Sequence, residues 1–259
     1  MHLLLPADVP TGDGPSAAPS PALSVAPEGA PLVQMRQVCK RHVERGVGVQ
    51  ALTNISLHIE RGEFTCLVGP SGSGKTTLLN LIGALDKPDS GDVLLEGESV
   101  VRVSGTQLSE VRLRKIGFIF QQHHLLPVLS ALENVEYVLL LQGVAPARRR
   151  ERALAALHQL GLQGSEHCRP HQLSGGQQQR VAVARAIAGN PVLVLADEPT
   201  AHLDAVAGAA LLDILRQLNR EHRTTFVFST HDERMVQHAS RTIELCEGRI
   251  VRDRVHAFL

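Results

Sequence analysis

The chain has 259 residues, with 26 Lys plus Arg balanced by 26 Asp plus Glu, and so no net formal charge. That balance disfavours a general nucleic-acid or membrane-surface binder, which carries a basic excess. Aromatic residues make up only 3%, with one Tyr and no Trp, which disfavours a carbohydrate cleft or a stacking platform for single strands. No run approaches the roughly 20 apolar residues that cross a bilayer. Residues 1–6 lack the basic and apolar regions of a secretory signal. Cys39, Cys66, Cys168 and Cys246 are far apart, as expected of reduced thiols in the cytosol.

Residues 1–31 hold seven of the fourteen prolines and no Lys or Arg. Such a composition buries too little apolar surface to offset its ordering entropy, so a disordered tail is expected, with the folded domain at 32–259. Residues 32–39 and 55–59 alternate as half-buried strands. Residues 64–68 are a short apolar run that ends in a Gly-rich turn, and 75–85 predict a helix. Residues 92–95 and 117–120 predict strands. The pattern is then helical, over 131–141 and 145–160. Residues 174–188 predict a helix with Ser174 as its N-cap. Residues 192–196 form an apolar strand. Residues 205–220 form an amphipathic helix with Leu211, Ile214, Leu215 and Leu218 on one face. Residues 225–229 and 243–246 complete the strands. Strands alternating with helices imply an α/β core on a parallel sheet. The helical block at about 122–172 reads as an inserted lobe.

Gly69, Pro70, Ser71, Gly72, Ser73, Gly74, Lys75 and Thr76, followed by Thr77, fit G-x-x-x-x-G-K-S/T. The run follows a strand and opens a helix, where backbone N–H groups converge on phosphate oxygens and the helix terminus adds positive charge. Lys75 is then placed for the β- and γ-phosphates, and the Thr76 hydroxyl for Mg²⁺. The apolar strand at 192–196 ends in Asp197 and Glu198. Two adjacent carboxylates beside phosphates require a cation, so Asp197 is expected to hold Mg²⁺ and Glu198 to polarise the attacking water. Ser174, Gly175, Gly176 and Gln177 open a second helix suited to anions. A chain with one phosphate loop has no need of another, so this one is expected to serve a nucleotide held by a second subunit.

The run LSGGQQQRVAVARAI, then LADEPT, then Leu203-Asp204 and Ser229-Thr230-His231-Asp232, resembles the ATP-binding cassette (ABC) ATPases over about residues 32–255. The resemblance implies a P-loop core with an inserted helical lobe and an N-terminal antiparallel β subdomain. It implies ATP and Mg²⁺ as ligands, and a head-to-tail homodimer. It also implies an integral-membrane permease as partner, met at the cytoplasmic face of the inner membrane. Gln121 looks like the glutamine that contacts Mg²⁺ and couples to the permease. Ser174 to Gln177 look like the signature that closes over ATP on the opposite subunit. Glu198 looks like the general base, Asp204 like the acid at the dimer seam, and His231 like the switch histidine at the γ-phosphate. Where the family sets an aromatic against adenine, this chain has His42, which offers less stacking surface. The loop Ala201-His202-Leu203-Asp204 departs from the commoner Ser-Ala-Leu-Asp.

Residues 79–88, the run GFIFQQHHLLPVLSALEN at 117–134, and LADEPT look like the lipoprotein-release and macrolide-efflux branch. Members of that branch move lipoproteins or drugs, or regulate cell-wall hydrolysis without a cargo. A DNA-repair ATPase also carries a signature. It would need long coiled coils, a zinc module or a duplicated cassette between Lys75 and Asp197, and no heptads occur there. The arginines at 148–150 and 152 read as a solvated helix face. His167, Cys168 and His171 lack a second pair to complete a metal site.

Overall fold

The computed structural model describes residues 30–44, 47–201 and 203–256. The expected tail, apart from Ala30 and Pro31, lies outside the described residues, and so does His202.

The elements run in chain order as strands β1 (Val33–Glu44), β2 (Val47–Ile59) and β3 (Phe64–Val68), helix α1 (Lys75–Ile82), and strands β4 (Ser90–Leu95) and β5 (Glu98–Ser99). Next come α2 (Gly105–Lys115), β6 (Ile116–Ile119), α3 (Ala131–Leu141), α4 (Pro146–Gln159) and α5 (Gly175–Ile187). The chain ends with β7 (Leu193–Asp197), α6 (Ala205–His222), β8 (Thr225–Ser229), α7 (Glu233–His238), β9 (Arg241–Cys246) and β10 (Arg249–Val255).

Two sheets form. β2, β1, β4 and β5 make an antiparallel sheet. The other has the order β10-β9-β3-β8-β7-β6, parallel except for the edge strand β10. Both faces of the sheet are covered at its centre, so β3, β7 and β8 are buried and apolar at most positions. Phe64, Cys66, Val194, Ala196, Phe226 and Phe228 face one core, shared with α3, α4, α5 and α6. Leu67, Leu193, Leu195, Val227, Ile243 and Leu245 face the other, shared with α1 and the antiparallel sheet. All the helices from α3 to α5 lie between the adjacent strands β6 and β7. Ser130 and Ser174 cap α3 and α5 in capping boxes with Glu133 and Gln177.

Burial within the first core pushes the Cys66 thiol up to about 12, so it packs as an inert apolar group. Arg241 is buried on β9. It binds Asp253 at 2.8 Å, Glu63 at 3.1 Å and the His58 carbonyl at 2.8 Å, tying β9 to its neighbour β10 and to the end of β2. Its guanidinium holds the Asp253 carboxyl below its usual range. A depressed carboxylate adds stability above its unfolded pKa of about 4, and that stability is lost as acid titrates it. Arg241→Met is expected to cost about 3 kcal/mol in a urea titration at pH 7, because two carboxylates lose their cation. The part due to Asp253 should begin to fall as the pH drops past about 4 and be gone only below the lowered pKa of the folded state.

Candidate functional site

The carboxyl ends of β3, β8, β7 and β6 lie side by side, and every strand-end motif opens there. Register pairs Leu67 with Ser229, Asp197 with Ser229, and Ile119 with Ala196. The phosphate loop therefore follows β3, His231 follows β8, Asp197 ends β7 with Glu198 just past it, and Gln121 emerges two residues past β6. Crevices at this end of a parallel sheet are where ligands bind in open α/β folds.

In the loop, Gly74 has φ 105° and sits so close to the Ala51 carbonyl and the Leu52 side chain that a Cβ would clash with both. Only glycine fits. The Lys75 ammonium donates to the Gly69 carbonyl at 2.8 Å and the Pro70 carbonyl at 2.9 Å, curling over the mouth of the loop. Among the described residues, the Ser73 hydroxyl is buried without a hydrogen-bond partner. Thr76 Oγ1 donates to Asp197 Oδ2 at 3.0 Å. A cation parked on carbonyls, an orphaned hydroxyl and a hydroxyl–carboxylate pair suit a polyphosphate with a hard divalent metal.

Glu198 stands in the left-handed region at φ 48°, an uncommon conformation for this residue. Its N–H donates to the Ser229 carbonyl at 2.9 Å, and its carbonyl accepts from Ala201 at 3.1 Å. Its Oε1 lies 2.8 Å from Nδ1 of His231. The carboxylate is 16% exposed and the imidazole 77%. Behind them, Asp232 caps α7 and pairs with Arg234 at 2.7 Å, which holds the Asp232 carboxyl below its usual range. Thr200 donates to Asp232 at 3.2 Å, and Arg234 reaches the Ala205 carbonyl at 2.9 Å. This bracket links the His231 turn to the segment after Glu198. Arg234 belongs to none of the motifs and has no spacing that signals it.

His42 is half-buried on β1, with Nε2 3.1 Å from Thr77 Oγ1. The antiparallel sheet thus brings it beside the phosphate-loop helix. Ser174 and Gln177 are bonded to one another at the start of α5. Among the described residues they have no hydrogen bond to the phosphate loop. Asp204 caps α6 through Ala207 N–H at 2.8 Å. Gly176 lies against Leu203 and Ala207, so the signature turn and the Asp204 turn share one surface. No helix among the described residues is long and apolar enough to cross a membrane.

The "ABC transporter" family profile matches residues 52–201. The chain is 46% identical over 226 residues to the macrolide export ATP-binding/permease protein MacB of Burkholderia pseudomallei, a match that covers 87% of this chain and 34% of MacB. The chain thus spans about a third of that relative's length. It is 48% identical over 204 residues to an uncharacterized ABC transporter ATP-binding protein of Thermotoga maritima, covering 79% of this chain and 87% of the relative. Among solved structures, the ATP-binding cassette MJ0796, a dimer in a post-hydrolysis state bound to ADP and Pi, superposes with a TM-score of 0.82 at 42% identity. That match covers 87% of this chain and all of MJ0796. Matched in sequence over 87% of its length and in fold to a nucleotide-bound cassette, the chain belongs to the ABC transporter family, as an ATPase cassette.

Proposed function

We propose that this cassette, spanning residues 32–259 with its lobe at about 122–172, hydrolyses ATP as one half of a head-to-tail homodimer that drives a membrane permease. The observation that carries the reading is the meeting of Lys75, Asp197, Glu198 and His231 at one edge of the sheet, with Glu198 and His231 2.8 Å apart. Residues 69–77 hold the phosphates, with Lys75 leaving its two carbonyls for the β- and γ-oxygens. His42 lies against the adenine. Glu198 orients water and accepts its proton, and His231 fixes the carboxylate and faces the γ-phosphate. Thr76, Asp197 and Gln121 would hold Mg²⁺, which spreads the charge developing on the phosphoryl oxygens when bound. Ser174, Gly175, Gly176 and Gln177, with Asp204, meet the nucleotide of the other copy, the Gly175 and Gly176 N–H groups lying outside the Ser174–Gln177 capping box.

The permease contact is the groove between β6 and the helical lobe. It measures about 380 Å³ and is lined by Leu85, Phe118, Phe120 and Val138. Leu85 of this lining is exposed, and α3, which supplies Val138, also exposes Tyr137, Leu140 and Leu141. A contiguous apolar patch marks a protein interface. The cassette then sits on the cytoplasmic face of the inner membrane through its permease. Macrolide export is the named activity of MacB. This chain shares the cassette, and the cargo is read by the permease. Leu85→Asp is expected to leave ATPase activity of the isolated chain within about twofold and to abolish co-purification with the permease. Retained co-purification would place the contact elsewhere.

A further inference from the structure

α5 and β6 approach so closely that a Cβ on Gly117 would collide with the Ala186 carbonyl. Beyond β6 the chain passes Gln121 and turns at His124, whose φ of 47° is left-handed. The His124 ring meets Phe120 edge-on, with centroids 5.1 Å apart. α5 holds this turn at two points. Nδ1 of His123 lies 2.5 Å from Oε1 of Gln179. The Arg185 guanidinium donates to the His124 carbonyl at 2.6 Å and the His123 carbonyl at 3.0 Å. Burial pulls the Arg185 pKa down.

A guanidinium desolvated against two backbone carbonyls fixes the course of the chain rather than any side chain in it. The carbonyls belong to the second and third residues after Gln121. The helix that supplies the guanidinium begins, thirteen residues long, at the Ser174 turn. We propose that Arg185 is a positioning residue that locks the Gln121 turn to α5. Gln121 at one nucleotide and Ser174 at the partner's nucleotide then shift together. The proposal rests on the roles given above to Gln121 and Ser174. A single stiff helix joins the two, because i→i−4 bonding lets it move only as a body.

Arg185→Lys in the full chain keeps the charge and loses the fork. It is expected to lower kcat about tenfold with KM held within about threefold. Gln179→Leu removes the His123 bond together with an amide Nε2 that is buried and has no partner among the described residues. Its kcat should also fall, while its melting temperature stays level or rises. A merely structural role predicts that activity follows stability. In a Gln121→Ala background, Arg185→Lys should add less than about twofold. Unchanged kcat in both single variants, or full additivity with Gln121→Ala, overturns the proposal. Should Gln121→Ala alone keep wild-type kcat, the role of Gln121 falls, and amide hydrogen exchange decides the lock separately. Faster exchange at residues 121–124 in Arg185→Lys, with exchange in α5 unchanged, upholds it, and unaltered exchange at 121–124 overturns it.

Discussion

Glu198→Gln is expected to lower kcat for ATP hydrolysis by about 10³-fold and to leave ATP binding intact. The amide has the shape of the carboxylate and can still bond the His231 ring, but it cannot take a proton from water. The backbone around it is held independently of the side chain, through Ser229 and Ala201, so the substitution does not loosen the turn. Left-handed φ at a non-glycine residue persists only where its surroundings over-determine it. Glu198 has that support, and its position points to a side chain that must be aimed. With hydrolysis stopped and binding retained, the variant should accumulate as an ATP-bound dimer, visible by gel filtration with Mg-ATP. His231→Ala should lose less, about 10²-fold, since it removes the partner that aims the carboxylate rather than the base itself. Single-turnover hydrolysis and equilibrium nucleotide binding check both. Wild-type turnover in Glu198→Gln would remove the general-base role.

How far this site was legible in the sequence depends on how local each signal is. The phosphate loop, the Asp197-Glu198 pair and His231 each follow a short apolar strand, and the strand end alone locates them. β3 and β8 have the bounds expected from their apolar runs, because strands buried on both faces carry no ambiguity of period. α1 ends at Ile82 rather than continuing to Leu85, since Gly83 takes the C-cap and Ala84 turns left-handed. α2 was not foreseen. It buries only Leu108, so the apolar stripe that reveals a helix is missing, and the Ser104–Gln107 capping box is its one local mark. β10 also escaped. It is an exposed edge strand, charged at Arg249, Arg252, Asp253 and Arg254, a composition that protects an edge and hides the strand. Arg185, Gln179 and Arg234 could not be found from spacing. Arg185 reaches carbonyls 61 and 62 positions away, and a backbone carbonyl leaves no trace in a sequence.

Mixing two inactive variants tests the head-to-tail arrangement directly. Lys75→Ala should remove nearly all ATPase activity, because the ammonium that curls over the loop mouth is lost. Ser174→Arg should be equally inactive, yet bind nucleotide at its own phosphate loop, from which the Ser174 turn is separate among the described residues. In a two-fold dimer each site pairs residue i of one copy with residue j of the other. A heterodimer of the two variants then has one site with both defects and one with neither. Equal mixing makes about half the dimers heterodimeric, each with one of two sites intact, so the mixture should recover about a quarter of wild-type activity. Recovery requires Lys75 and Ser174 to act across the interface. If both belonged to the same nucleotide within one chain, every site in the mixture would keep one defect and no activity would return. Gly176 packs against Leu203 and Ala207, so Ser174→Arg also enters the surface that carries Asp204. Ser174→Ala, which is too small to obstruct dimer closure, therefore serves as the companion variant. It removes the cap on α5, costing about 1 kcal/mol, and leaves the surface open. Loss of turnover in Ser174→Ala with an intact ATP-dependent dimer would assign the hydroxyl to the nucleotide. Loss of the dimer would assign it to the seam.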